Sequence, residues 1–187
     1  MSEEANSHRT KKNESWEWIK ALVIAIALAF LIRTFLFAPF IVQGESMETT
    51  LHNQEKLVVN KVIYYLKDPQ PGEIIVFHAD HTRDYIKRVI AVEGDTVEMK
   101  NDQLIVNGKQ VEEPYLERKE ERAKAKGETH FTDDFPPVRV PEGHLFVMGD
   151  NRLNSEDSRF IGPIPVSSVV GRAEFTFWPI DQIRLTR

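Results

Sequence analysis

Lys87 stands in the middle of Tyr85-Ile86-Lys87-Arg88-Val89-Ile90, a stretch otherwise built for burial. In a strand, Tyr85, Lys87 and Val89 share one face and Ile86, Arg88 and Ile90 the other. Each largely apolar face therefore carries one cation. A buried ammonium without a carboxylate partner is costly, and burial can pull a lysine well below its usual pKa of ~10.4. A neutral lysine is a competent general base and can activate a serine hydroxyl. The pattern also fits a second reading, in which Lys87 reaches a sheet edge and stays solvated.

The candidate nucleophile is Ser46, in Gly44-Glu45-Ser46-Met47-Glu48-Thr49-Thr50-Leu51. It lacks the second glycine of a nucleophile elbow and does not lie between a strand and a helix. None of His8, His52, His78, His81, His130 and His144 sits in a recognisable triad context. His78 and His81 lack a third metal ligand nearby, so no metal site is expected. The absence of cysteine excludes disulfides, thiolate metal sites and a cysteine nucleophile. A net charge of -5 gives no reason to expect nucleic-acid binding, which usually needs a basic face.

A third cluster runs from Gly149 to Arg159, followed by Gly162. Asp150, Asn154, Glu156 and Asp157 suggest a calcium loop, but Arg152 occupies a ligand position and the required glycine is missing. The cluster reads better as a hydrogen-bonded loop with internal ion pairs. Asp157 can pair with Arg159 and Asp150 with Arg88, bracing a rigid site.

Short segments rich in Val, Ile and Phe must position these groups. Strands are expected at Lys56–Val62, Glu73–Phe77, Tyr85–Val92, Thr96–Lys100, Gln103–Val106, His144–Met148 and Gly171–Phe177. Asn107-Gly108 signals a tight hairpin. The fold class is mostly β. Glu117 to Lys126 carries eight charges in ten residues, within a charged insertion at about 112–137 expected to be a solvated excursion or a short exposed helix.

The N-terminal part differs in kind. Ala21 to Ile32 is an unbroken run of twelve apolar residues. From Trp16 to Phe37 a helix would span ~33 Å at ~1.5 Å per residue, enough for a ~30 Å hydrocarbon core. Trp16 and Trp18 suit an interface, and Lys20 and Arg33 can snorkel. An apolar surface running all the way round argues against a buried core helix. No small-x-small site follows the run, which argues against a cleaved signal peptide. An uncleaved anchor is expected at 16–37, behind a disordered cytoplasmic tail at 1–15, with the β domain at 38–187. Arg9, Lys11, Lys12 and Lys20 place the N-terminus in the cytoplasm and the rest outside.

Together these clusters resemble type I signal peptidase, the bacterial leader peptidase family with a serine–lysine dyad. The resemblance covers the anchor, the Ser46 box, Gly72-Glu73-Ile74-Ile75-Val76-Phe77, the Lys87 box and the Gly149–Gly162 box, in that order. The single-anchor layout is similar to the Gram-positive form. It implies a signal-peptidase-like β domain in the cell membrane that cuts preproteins after small residues (Ala-x-Ala), with no cofactor. Ser46 is implied as nucleophile, Lys87 as base, Ser155 as the residue orienting the lysine amine, and the Ser46 N–H as oxyanion donor. Asp150, Arg88, Asp157 and Arg159 are implied as support. Phe40, Val42, Met47, Leu51, Tyr85 and Ile86 are implied to line shallow pockets. The implied partners are signal peptides, the lipid bilayer and the export translocon.

Some positions depart from the family pattern: Thr49 and Glu93 replace frequent prolines, Ala91 a frequent glycine, and Gly44 a hydroxyl that in some members helps bind the oxyanion. Only eight residues separate Ala38 from Ser46, a reach of at most ~29 Å at ~3.6 Å per residue, so the nucleophile stays near the outer membrane surface. A self-cleaving repressor-type peptidase shares the dyad and the β fold, but the anchor and the lack of a DNA-binding helical region count against it. A non-catalytic membrane scaffold is opposed by the intact Ser46, Lys87 and Ser155.

Overall fold

The structure is a computed structural model describing residues 3–31, 36–48, 50–80, 82–117, 121 and 130–186, with the first helix's side chains described from residue 14 on. The chain divides into two compact units, Met1–Ala38 and Pro39–Arg187.

In the first unit, helix α1 runs from Glu3 to Leu31. The tail expected to be disordered is thus helical from Glu3. The segment is rich in Ala, Glu and Lys and contains no Gly or Pro to interrupt it. The side chains described along it, from Glu14 to Leu31, are all exposed. Among the described residues no helix is long and apolar enough to cross a membrane. The expected span continues through residues 32–35, including Arg33, which lie outside the described residues.

The second unit is built of antiparallel sheet. Its strands are β1 (Phe37–Ile41, entering from the first unit), β2 (Lys56–Asn60), β3 (Ile74–His78), β4 (Asp84–Val92), β5 (Thr96–Lys100), β6 (Gln103–Val106), β7 (Lys109–Gln110), β8 (Phe135–Arg139), β9 (His144–Met148), β10 (Ile164–Pro165), β11 (Val169–Trp178) and β12 (Arg184–Leu185). Two single-turn helices interrupt them, α2 (Ile63–Leu66) and α3 (Ser158–Ile161). One sheet has the order β1-β2-β11-β3-β4-β9-β10, with β12 on β11; the other runs β7-β6-β5-β8.

All seven strands expected from the sequence form, within a few residues at their ends. Asn107 and Gly108 both take positive φ, the conformation that a two-residue hairpin turn requires. Strand β8 is not expected from its sequence, because Pro136 and Pro137 cannot donate to a ladder. It is tolerated at the sheet edge, where one side needs no partner. Its Phe135 and Val138 pack on a cluster of Ile90, Ala91, Val97, Met99, Phe146 and Met148. The insertion at 112–137 is therefore only partly a solvated excursion: Leu116 is buried, and β8 completes a sheet. Most of Glu117 to Lys126 lies outside the described residues.

Strand β3 explains the central core. Its Ile74 and Val76 enter one apolar cluster with Val42, Met47, Leu51, Leu57 and Val59, while Ile75 and Phe77 enter another with Val89, Leu145 and Val147. A strand buried on both faces leaves no room for solvent beside it. Strand β4 pairs with it residue by residue, Ile74 opposite Arg88 and Ile75 opposite Lys87. Both cations are thereby drawn into the interior.

Candidate active site

Ser46 lies on the turn that follows β1. Gly44 takes φ +90°, which favours glycine, and its N–H donates to Asn53 Oδ1 at 3.1 Å. The turn closes on itself, since Thr50 and Leu51 N–H donate to the Met47 carbonyl at 2.8 and 2.9 Å. Met47 and Leu51 are buried on either side of this turn and pin it to the core. Half-buried Ser46 is left at the surface of a cleft. Its N–H makes no hydrogen bond among the described residues.

Lys87 is 3% exposed, and its Nζ lies 2.8 Å from Ser46 Oγ, within hydrogen-bond distance. Burial pulls its pKa down to about 8, although the carboxylates of Asp157, Glu156 and Asp150 oppose the shift. The solvated-edge reading is excluded by this burial. The Tyr85 ring flanks the amine, 5.0 Å from Nζ to the centroid.

The loop after β9 holds the opposite wall. Asp150 accepts two hydrogen bonds from Arg88, Nε at 2.9 Å and Nη2 at 2.7 Å, and a third from Thr50 Oγ1 at 2.5 Å. Asp157 accepts Arg159 Nε and Nη2, each at 2.8 Å, and the Gly149 N–H at 2.9 Å. Burial alone would raise the Asp157 pKa, but the Arg159 hydrogen bonds and charge and the Gly149 N–H hold it below the usual carboxylate value. The Asn151 N–H donates to the Ser46 carbonyl at 2.9 Å, tying this loop to the serine turn. Ser155 Oγ is buried beside Gly149 and makes no hydrogen bond to Lys87.

A cleft of about 530 Å³ opens over Ser46 and Lys87, lined in part by Phe40, Val42, Met47, Tyr85 and Ile86. Leu51, expected on this surface, is not on it. It is 0% exposed and packs in the core cluster with Leu57, Val59 and Ile74. No group of three or more His, Asp or Glu suited to a metal occurs among the described residues. His81 and Thr49 lie outside them.

Residues 15–178 match the model of "Signal peptidase, peptidase S26". The chain belongs to this family. As a member it is a serine peptidase, a hydrolase. Signal peptidase I S of Bacillus subtilis (strain 168) is 50% identical over 178 residues, covering 95% of this chain and 96% of that protein. Signal peptidase I of Bacillus licheniformis is 47% identical over 188 residues, covering both chains completely. The crystal structure of a signal peptidase I from Enterococcus faecalis V583 superposes with a TM-score of 0.51 at 38% identity, covering 57% of this chain and 97% of that one.

Several residues at the site carry no signal in the family's motif order. Arg152 is buried, donates through Nε to the Gly149 carbonyl at 3.1 Å, and forms a two-pronged pair with Glu113. Tyr115 donates its hydroxyl to the same Glu113 at 2.6 Å and stacks under Arg88, 3.9 Å from guanidinium carbon to ring centroid. Glu113 and Tyr115 come from the charged insertion, 39 and 37 residues from Arg152, so no local pattern links them. Glu156 is a fourth such residue, accepting the Tyr85 hydroxyl at 2.6 Å.

Proposed function

We propose that this peptidase removes N-terminal signal peptides from exported preproteins, with Ser46 as nucleophile and Lys87 as general base. The observation that carries the reading is the 2.8 Å contact between Ser46 Oγ and a buried Lys87 Nζ whose pKa is drawn down to about 8. Relatives named signal peptidase I, matched over nearly the whole chain, support the substrate class.

In this mechanism the neutral Lys87 amine takes the Ser46 hydroxyl proton as Oγ attacks the carbonyl carbon before the cut. The tetrahedral oxyanion is held by the Ser46 N–H, which is free of other partners among the described residues. The Lys87 ammonium then protonates the leaving amine, the C–N bond breaks, and the signal peptide remains as an ester on Ser46. Lys87, neutral again, deprotonates a water that hydrolyses the ester and restores the serine. Asp157–Arg159 and Asp150–Arg88 keep the surrounding loop rigid. Ser155, buried beside Gly149, is assigned the role of orienting the lysine amine. Phe40, Val42, Met47, Tyr85 and Ile86 accept small side chains before the cut.

The anchor belongs to the same proposal. The apolar run ends at Ile32; Phe35, Leu36 and Phe37 follow Arg33 and Thr34, and the exposed apolar side chains of α1 suit lipid. The N-terminus then faces the cytoplasm and the catalytic unit lies outside, in the bilayer's company and within reach of the export translocon.

The test is cleavage of a preprotein in detergent. Ser46→Ala and Lys87→Ala are each expected to abolish cleavage while the far-ultraviolet dichroism stays that of the parent. Normal processing by either variant would sink the assignment.

A further inference from the structure

A second cleft of about 310 Å³ adjoins the one over Ser46, walled by Phe77, Ala79, Ile161, Pro163, Ile164 and Pro165. The two clefts share Arg83, Tyr85 and Glu156. The Tyr85 ring is therefore a partition with space on both sides. Phe77 meets its edge at 6.1 Å and 76°, and the Arg83 guanidinium lies 5.6 Å from its centroid. Neither contact fixes where the ring's far end points. The hydroxyl does so, donating to Glu156 Oε2 at 2.6 Å across a sequence separation of 71 residues.

The same ring borders the reacting atoms. Lys87 Nζ is 5.0 Å from its centroid and 2.8 Å from Ser46 Oγ. A peptide carbonyl in reach of Ser46 brings the side chain of the residue before the cut against this partition. Of the three carboxylates in the Gly149–Arg159 loop, Asp150 is committed to Arg88 and Asp157 to Arg159. Glu156 is the one turned toward the cleft.

We infer that Glu156 is a positioning residue for substrate selection: by pinning the Tyr85 hydroxyl it keeps the second cleft closed off and restricts the residue before the cut to small side chains. The inference rests on the assignment of Ser46 as nucleophile. Once unpinned, the ring swings toward the second cleft, and the pocket beside Ser46 deepens enough for branched side chains.

The experiment uses the full-length enzyme in detergent and a preprotein series differing only at the residue before the cut, with Ala, Ser, Val or Leu there. Parent enzyme is expected to prefer Ala strongly over Val and Leu. Glu156→Ala and Tyr85→Phe should each shrink the Ala-to-Val ratio of kcat/KM by about 10-fold or more, the low end of what pocket size decides for one carbon. The change should come from faster cleavage of the Val and Leu substrates. Glu156→Gln keeps an acceptor for the phenol and should keep the parent ratio. An unchanged ratio in both Glu156→Ala and Tyr85→Phe overturns the inference, as does a Glu156→Gln enzyme as relaxed as Glu156→Ala. Should parent enzyme cleave none of the series, the signal-peptide assignment fails and the inference falls with it.

Discussion

Gly149 packs its α-carbon against the backbone carbonyl of Ser46 so closely that a β-carbon there would overlap both that oxygen and Ser155 Oγ. The strand that ends at Met148 thus passes directly behind the serine turn. The contact is secured on both sides, by the Gly149 N–H to Asp157 and by the Asn151 N–H to the Ser46 carbonyl.

Gly149→Ala is accordingly expected to displace Ser46 from Lys87. Backbone atoms cannot yield as a flexible side chain can, and misplacement of a nucleophile by about 1 Å costs on the order of 100-fold in rate. The loss should appear in kcat for preprotein cleavage, with the dichroism spectrum preserved. A variant with full kcat would show that the turn relaxes freely.

The pH profile should report Lys87. The base must be neutral, so kcat/KM is expected to rise with pH through about 8 and to fall about tenfold per unit well below it. Asp157 is the first of the carboxylates that favour the ammonium, opposing the burial that disfavours it. Asp157→Asn removes that support and should move the rising limb to lower pH in whatever activity remains. A limb that stays in place, or moves upward, contradicts the assignment of this titration to Lys87.

The Arg152–Glu113 pair should behave as a buried ion pair, its side chains 1% and 9% exposed. Arg152→Met strands Glu113, for a loss of about 3 kcal/mol of unfolding free energy. Arg152→Met with Glu113→Leu removes both charges and should recover more than half of that loss. Urea unfolding of the full chain in detergent measures both. Equal losses in the single and double variants would show that the charge pair is not what holds this joint.

Much of this chain is legible in its sequence because the signals are local. Short segments rich in Val, Ile and Phe mark seven strands, and Asn107-Gly108 marks a hairpin. Strand alternation alone shows that Lys87 and Arg88 bring charge to apolar faces, and Asp157 and Arg159 sit two apart. The tail before Trp16 misleads, since its polarity suggests disorder while its lack of Gly and Pro permits a helix. Strand β8 misleads in the other direction, because proline is excluded from central strands but not from an edge.

By itself, then, the sequence determined seven of the strands, the order of the motifs and the two residues able to form a dyad. Tertiary structure alone decided whether Lys87 is buried or solvated, that Leu51 belongs to the core and not to the cleft, and that Glu113 pairs with Arg152 and Glu156 with Tyr85. The reason is physical. Periodicity records which face of an element is apolar, but burial and partner choice depend on which distant backbone arrives opposite that face, and only the packed sheets fix that.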